Sequence, residues 1–155
     1  MQDFTEMLDT GEQIYVTKRT YNEERVECVY WEKLALNKTD YDFYKWYRKQ
    51  PRPREWTKQG PQKKKEHLHA KLCRIEGWPV MKIRHSYEKE TRAISHRLVF
   101  WSWREKCGVL QRPDGNCNQH VWKSNIGKTS LCDRVFWHFC GVITYPVFKK
   151  SCIST

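Results

Sequence analysis

Nothing in these 155 residues approaches the run of roughly 20 apolar side chains that a membrane-crossing helix requires, so no membrane span is expected. No secretory leader is visible at the amino terminus, and the chain reads as a mature form in which Met1 is an added start. There is no internal repeat and no linker-like break in composition, so residues 1–155 are expected to form a single domain. No nucleophile, base and orienting group can be assembled from spacing, and neither an enzyme nor a cofactor is expected. Gly127-Lys128-Thr129 resembles the end of a phosphate loop, but the place five residues earlier, where that loop needs a glycine, is Trp122. His67-Leu68-His69 puts two imidazoles on one strand face without a third ligand, so no metal is expected. Acid is also short, with 18 Asp and Glu against 29 Lys and Arg, a net charge of +11. That excess suits an anionic partner; charge alone does not choose among nucleic acid, a sulfated glycan, an acidic protein and an anionic small ligand.

Aromatic side chains are plentiful: eight Trp, eight Tyr and six Phe, more than packing alone demands. Seven cysteines and the sequon Asn37-Lys38-Thr39 point to an oxidising compartment, where disulfides persist and Asn37 can carry a glycan. Period-2 alternation predicts strands over Gln13–Tyr21, Arg25–Leu36, Tyr41–Arg48, His67–Ile75, Val80–Tyr87, Ile94–Trp103 and Cys107–Arg112. Between Gln50 and Glu66 three prolines, one glycine and Lys63-Lys64-Lys65 suit an exposed connection holding at most a short strand around Trp56. Over Thr129–Cys140 the period changes: Leu131, Val135 and Phe139 recur at four-residue spacing and Ser130 with Asp133 resembles a capping pair, which predicts one amphipathic helix. About eight antiparallel strands and a late helix predict an all-β, up-and-down barrel.

Several ordered pieces carry a family resemblance. Lys18-Arg19-Thr20-Tyr21 ends a strand; Cys28-Val29-Tyr30 leads to Leu36-Asn37-Lys38-Thr39-Asp40-Tyr41-Asp42-Phe43; Lys106-Cys107-Gly108-Val109 enters another; Cys132 and Cys140 flank the helix before Cys152. In order and spacing, from Glu12 to Cys152, the chain resembles the salivary lipocalins of ticks, the group named for its histamine-binding members. The resemblance implies an eight-stranded lipocalin barrel with one C-terminal helix, stapled by Cys28 with Cys152, Cys107 with Cys132 and Cys117 with Cys140. Cys73 is left over as an inert thiol or one able to link two chains.

Amine-capturing members set carboxylates among aromatic rings, because an ammonium leaving water needs a counter-charge and favours a π face. The resemblance implies an acid at Asp9, a pocket tyrosine at Tyr21 and a second acid at Glu24. At three further acidic places stand Leu98, Gly108 and Asn118. Lipid-holding members imply instead a cavity lined by Trp31, Phe43, Tyr87, His96, Leu98 and Phe100, with a basic residue near its mouth. Either these aromatics line an open cavity or they fill the barrel. The function implied is a secreted lipocalin of tick saliva that sequesters a host inflammatory or immune mediator, an amphipathic lipid or a biogenic amine. The alternative is immune evasion by binding a host protein, such as a complement component, through loops and charged exterior. A sulfated glycan is a further partner; no sequence-specific nucleic acid and no membrane partner is expected, and the chain is expected to be a monomer.

Overall fold

The computed structural model describes residues 4–52 and 60–153. Eight strands, β1 (Ile14–Arg19), β2 (Val26–Leu36), β3 (Asp40–Lys49), β4 (Gln62–Ile75), β5 (Trp78–His85), β6 (Ile94–Ser102), β7 (Cys107–Gln111) and β8 (Cys117–Trp122), pair antiparallel in chain order. β8 returns to β1 and closes the barrel, so no sheet edge is left to template aggregation. A short helix, α1 (Phe4–Leu8), precedes the strands, and a longer one, α2 (Ser130–Cys140), follows them.

Alternation places the expected strands well, with two differences. Residues 117–122 form a strand that was not expected, because Cys-Asn-Gln-His shows no apolar alternation. Lys63, Lys64 and Lys65 lie inside β4 rather than in a loop. On the outer face Lys63 and Lys65 cover the rings of Tyr30, Tyr44 and Trp46, so cation–π contacts hold a stretch that charge would otherwise disfavour as strand. Trp56 lies outside the described residues. The β2–β3 hairpin forms as expected, with Asn37 at its exposed tip and its side-chain oxygen accepting from Thr39 and Asp40 backbone nitrogens. Glu76-Gly77, both at positive φ, make the two-residue turn between β4 and β5.

Two bulges redirect side chains. In β6 the register shifts between Leu98 and Phe100, which keeps Leu98 in the barrel core, turns Phe100 outward beneath α2, and puts Trp101 inside in its place. In β2 the shift falls between Glu27 and Tyr30, where Cys28 sits at φ 56° and bonds to the C-terminal segment. β1 and β2 pair only at Ile14 with Trp31 and Tyr15 with Tyr30. Beyond that point the C-terminal segment wedges the seam: the Tyr145 N–H donates to the Arg19 carbonyl at 2.9 Å and the Cys28 N–H to the Val147 carbonyl at 2.7 Å.

The helix is present but presents a different face. Its buried residues are Cys132 and Phe136, while Leu131 and Phe139 are exposed. Cys107–Cys132 and Cys117–Cys140 tether it to β7 and β8 and fix its rotation. The capping also differs: Glu105, from the turn before β7, accepts hydrogen bonds from the Leu131 and Cys132 backbone nitrogens at 3.0 Å. All three disulfides have the pairing the family resemblance implies, and Cys73 is free and half-buried.

Candidate ligand-binding site

The barrel interior is divided across its middle. One end is solid. There α1 buries Phe4, Met7 and Leu8, worth about 1.5–3 kcal/mol each on burial. Trp101 Nε1 donates to Glu6 and Trp122 Nε1 to the Met7 carbonyl, both at 2.9 Å, which fixes the helix as a plug. Behind it Tyr41 stacks on Phe43 at 4.5 Å between centroids, and Phe43 meets Trp31 at 4.8 Å.

The other end is open. It holds a cavity of about 540 Å³, with Trp31, Lys45, Leu68 and His120 deepest and Val16, Val29, Ile83 and Ile94 on its walls. Arg19, Tyr21, Arg84, Arg92 and Arg112 supply the rim together with Glu23 and Glu88. Sequence order explains the division: this end collects the β1–β2, β5–β6 and β7–β8 connections, where the charged residues stand.

Its lining carries five Lys or Arg against three Glu. The carboxylates are engaged. Glu23 lies 3.7 Å from Arg19, Glu66 accepts from the Tyr47 hydroxyl at 3.5 Å, and Glu88 accepts from the His85 backbone nitrogen at 2.9 Å. Lys45 makes no ion pair among the described residues; its ammonium lies over the Tyr47 ring at 5.8 Å. Arg112 covers the Tyr21 ring at 4.1 Å and its Nη2 lies 3.7 Å from Asp114, while its Nε is buried without a hydrogen-bond partner among the described residues. Arg19 is buried and structural: its Nη2 donates to the carbonyls of Glu23, Val26 and Pro146 and ties rim to tail. Arg84 Nη1 braces the next connection through the carbonyls of His85, Ser86 and Glu88.

Two of the three cavity imidazoles, His120 and His96, are held neutral. Burial, and then repulsion from His96 and Lys45, lowers His120 to about 3. Burial lowers His96 to about 4, although its Nδ1 meets the Ile94 carbonyl at 3.1 Å. His120 Nε2 is 3.0 Å from Asn118 Oδ1, Asn118 Nδ2 donates to the Tyr21 hydroxyl at 3.1 Å, and the His120 ring stands 4.2 Å from that of Trp31.

Of the residues expected at the site, Tyr21, Trp31, His96 and Asn118 line the cavity, while Phe43 and Leu98 belong to the solid end. Four lie elsewhere. Tyr87 is 82% exposed on the β5–β6 connection, stacked on His85, because β5 ends two residues before it. Phe100 faces α2. Asp9 is on the surface, 3.7 Å from Lys33, and Glu24 is exposed outside the cavity. Lys45, His120 and Arg112 were missed. Arg112 and His120 flank or belong to the unexpected β8 hairpin, while Lys45 alternates in phase with Phe43, a signal that β3 did carry.

His67 and His69 lie outside the barrel and bond to Asp42 at 2.8 Å and Asp40 at 2.9 Å. Among the described residues the one cluster with metal-ligand spacing is Glu105, Cys107 and Cys132, whose thiols form a disulfide.

Over residues 1–154 the sequence matches the family described as tick histamine binding protein. The chain belongs to that family. This histamine-binding-type barrel is similar to the structure of japanin from Rhipicephalus appendiculatus bound to cholesterol, with a TM-score of 0.66 at 13% identity, over 92% of this chain and 96% of that one. A comparison with curated proteins finds no match. Within the histamine-binding framework, two of the three further places where an acid is implied, Leu98 and Gly108, are filled apolarly in the solid end, while Asn118 lines the cavity. A Cβ on Gly108 would stand 2.8 Å from Met7 Sδ, and Leu98 packs in the same cluster. Neither leaves room or counter-charge for an ammonium there.

Proposed function

We propose that this protein is a secreted salivary carrier that sequesters an amphipathic carboxylate, of the fatty-acid or lipid-mediator class, in the open half of its barrel. One observation carries the reading: the cavity lining is net cationic, five Lys or Arg against three Glu, and Lys45 lines it without an ion pair among the described residues. An ammonium would enter against that excess of positive charge. A carboxylate at the rim meets arginines, while its chain lies along Val29, Ile83 and Ile94. Sequestration needs affinity and abundance, not turnover, and removes the mediator from host signalling. A glycan on Asn37, at the hairpin tip on the solid end, would not obstruct entry.

Calorimetry on lipid-stripped protein tests this with stearic acid, methyl stearate, cholesterol and histamine. Stearic acid is expected to bind best, more weakly at high salt, with the ester at least tenfold weaker. Equal affinity for acid and ester, or a tight histamine site, defeats the proposal; tighter cholesterol binding would mark a sterol carrier like the japanin complex.

A second reading rests on a different surface. Trp137, Phe139, Val142 and Ile143 are exposed apolar side chains near the end of α2 and in the segment after it, with Trp137 63% and Ile143 73% exposed. Exposed apolar side chains of this size suit capture of a host protein, a complement component among them. Surface plasmon resonance with purified complement components, repeated with Trp137→Ser and Ile143→Ser, decides it.

A further inference from the structure

We infer that the outer wall of the barrel, beside the C-terminal segment, binds a sulfated glycosaminoglycan along a cationic track of Lys123, Arg48, Lys63 and Lys65. Lys63 and Lys65 stand on the outer face of the sheet, away from the cavity, so the inference does not depend on the carboxylate reading above.

Two adjoining features build the track. Against Cys152 and Ile153 lies a pocket of about 180 Å³ lined by Arg48, Lys63 and Lys123, with no carboxylate in its lining. Lys65 continues the line two residues along β4, about 7 Å from Lys63. Aromatic rings give the ammonium groups fixed places: Lys63 lies 4.8 Å from the Trp46 centroid and 5.4 Å from that of Tyr30, and Lys65 lies 4.4 Å from that of Tyr44. A ring face holds an ammonium without cancelling its charge, and neither Lys63, Lys65 nor Lys123 makes an ion pair among the described residues. Arg48 and Lys149 share Glu27 at 3.3 and 2.9 Å, which leaves that group net positive. Arg48 also stands directly opposite Lys63 in the β3–β4 ladder. Like charges so placed destabilise a sheet, and a bound anion offsets that cost.

The shape of the track selects the polyanion. Past Lys65 the same face changes character, because His67 and His69 meet Asp42 and Asp40 there, so the charge runs in a short line rather than over a broad surface. A folded acidic protein presents a broad surface, whereas the pocket takes one small group. Single-stranded nucleic acid lays its bases on open aromatic faces, and the faces of Tyr30, Tyr44 and Trp46 are taken by ammonium groups. A sulfated sugar chain is linear and permanently charged. Each of its sulfates offers three oxygens to the N–H donors of Arg48, Lys63 and Lys123. The three disulfides suit the extracellular setting where such chains occur.

Calorimetry on the full chain tests this with a heparin hexasaccharide, its desulfated counterpart, a single-stranded DNA of matched charge and vesicles of phosphatidylserine with phosphatidylcholine. The hexasaccharide is expected to bind best and to weaken as salt rises, with the desulfated form roughly tenfold weaker or more. Lys63→Glu with Lys65→Glu should lower hexasaccharide affinity roughly tenfold. Lys128→Glu with Arg134→Glu makes the same change in net charge on the exposed surface at α2 and should lower it less than about threefold. Should the first pair fail to fold, NMR on the unaltered protein decides: adding hexasaccharide should shift the amides of residues 46–48, 63–65 and 123 and leave those of α2 in place. Equal losses in the two double variants, or shifts spread over α2, would reduce the effect to net charge and overturn the inference. DNA or vesicles binding as tightly as the hexasaccharide, or no binding of the hexasaccharide, also overturns it.

Discussion

The two ends of the barrel use the same strands for opposite purposes. At the α1 end inward side chains meet one another: Met7 against Gly108, Phe43 between Tyr41 and Trp31, and indole N–H groups satisfied by Glu6 and the Met7 carbonyl. At the mouth they stop short of meeting; polar atoms of Arg112 and His120 are buried there without hydrogen-bond partners among the described residues, as the Tyr41 hydroxyl is at the solid end. Stability is concentrated where packing is complete; recognition is concentrated where the barrel is left open. The mouth keeps its shape through Arg19, through the tail in the β1–β2 seam, through Cys28–Cys152 and through a small cluster of Val16, Val29 and Val147.

The sharpest way to break this contrast is to cut each end in turn. Phe43→Ala, at the solid end, is expected to cost about 3–5 kcal/mol, read as a fall in Tm of about 10 °C, because the rings around it cannot collapse into the space. Ile94→Ala on the half-exposed mouth wall should cost under about 1 kcal/mol. Similar losses would mean the ends are not energetically distinct. Next in size, the double variant Cys28→Ser, Cys152→Ser opens a closure of 124 residues and should cost about 2–4 kcal/mol. Hydrogen exchange should then rise along residues 145–152 and the facing edges of β1 and β2, but not in α1.

Acid should weaken the mouth before the plug. His120 and His96 stay neutral in the fold to about 3 and about 4, well below the value of about 6.5 they regain on unfolding. Between those limits the unfolded chain binds more protons, so stability falls as pH falls from about 6.5 towards 4, by on the order of 1 kcal/mol per unit for each imidazole. Urea midpoints measured across that range check it, and a flat profile in His120→Gln, His96→Gln would locate the effect. The smallest expected change in stability comes from Arg92→Glu on the exposed rim, within about 0.5 kcal/mol. It should nonetheless lower stearic acid affinity severalfold at low salt and less at high salt.

What the sequence made legible follows from how local each feature is. The β2–β3 hairpin could be read because aromatic alternation and Asn37-Lys38-Thr39-Asp40 are local signals, and the disulfide pairing because cysteine order matches the family. The β6 bulge could not: sequence parity puts Phe100 with Leu98, and one shifted residue exchanges it for Trp101. The buried face of α2 is set by two remote cysteines and its cap by Glu105, 26 residues before Leu131. α1 is five residues long, too short for periodicity, yet it decides which half of the barrel stays open. At the candidate site Tyr21, Trp31, His96 and Asn118 were within reach of the family pattern. His120 was not, because a strand reading Asn118-Gln119-His120 has polar residues on both faces, one set turned to the cavity and Gln119 turned to Asp133 of α2.

The tail in the seam also governs the order of synthesis. Residues 145–147 leave the ribosome after all eight strands, yet they bridge the first two, so the barrel cannot complete its mouth until they have been made. A chain truncated before Tyr145 bares the backbone edges of β1 and β2 and leaves Cys28 without Cys152. Such a product presents both an open edge and an unpaired thiol, the two features by which quality control in an oxidising compartment retains unfinished proteins. Closure of the mouth thereby reports that the tail through Cys152 has been made.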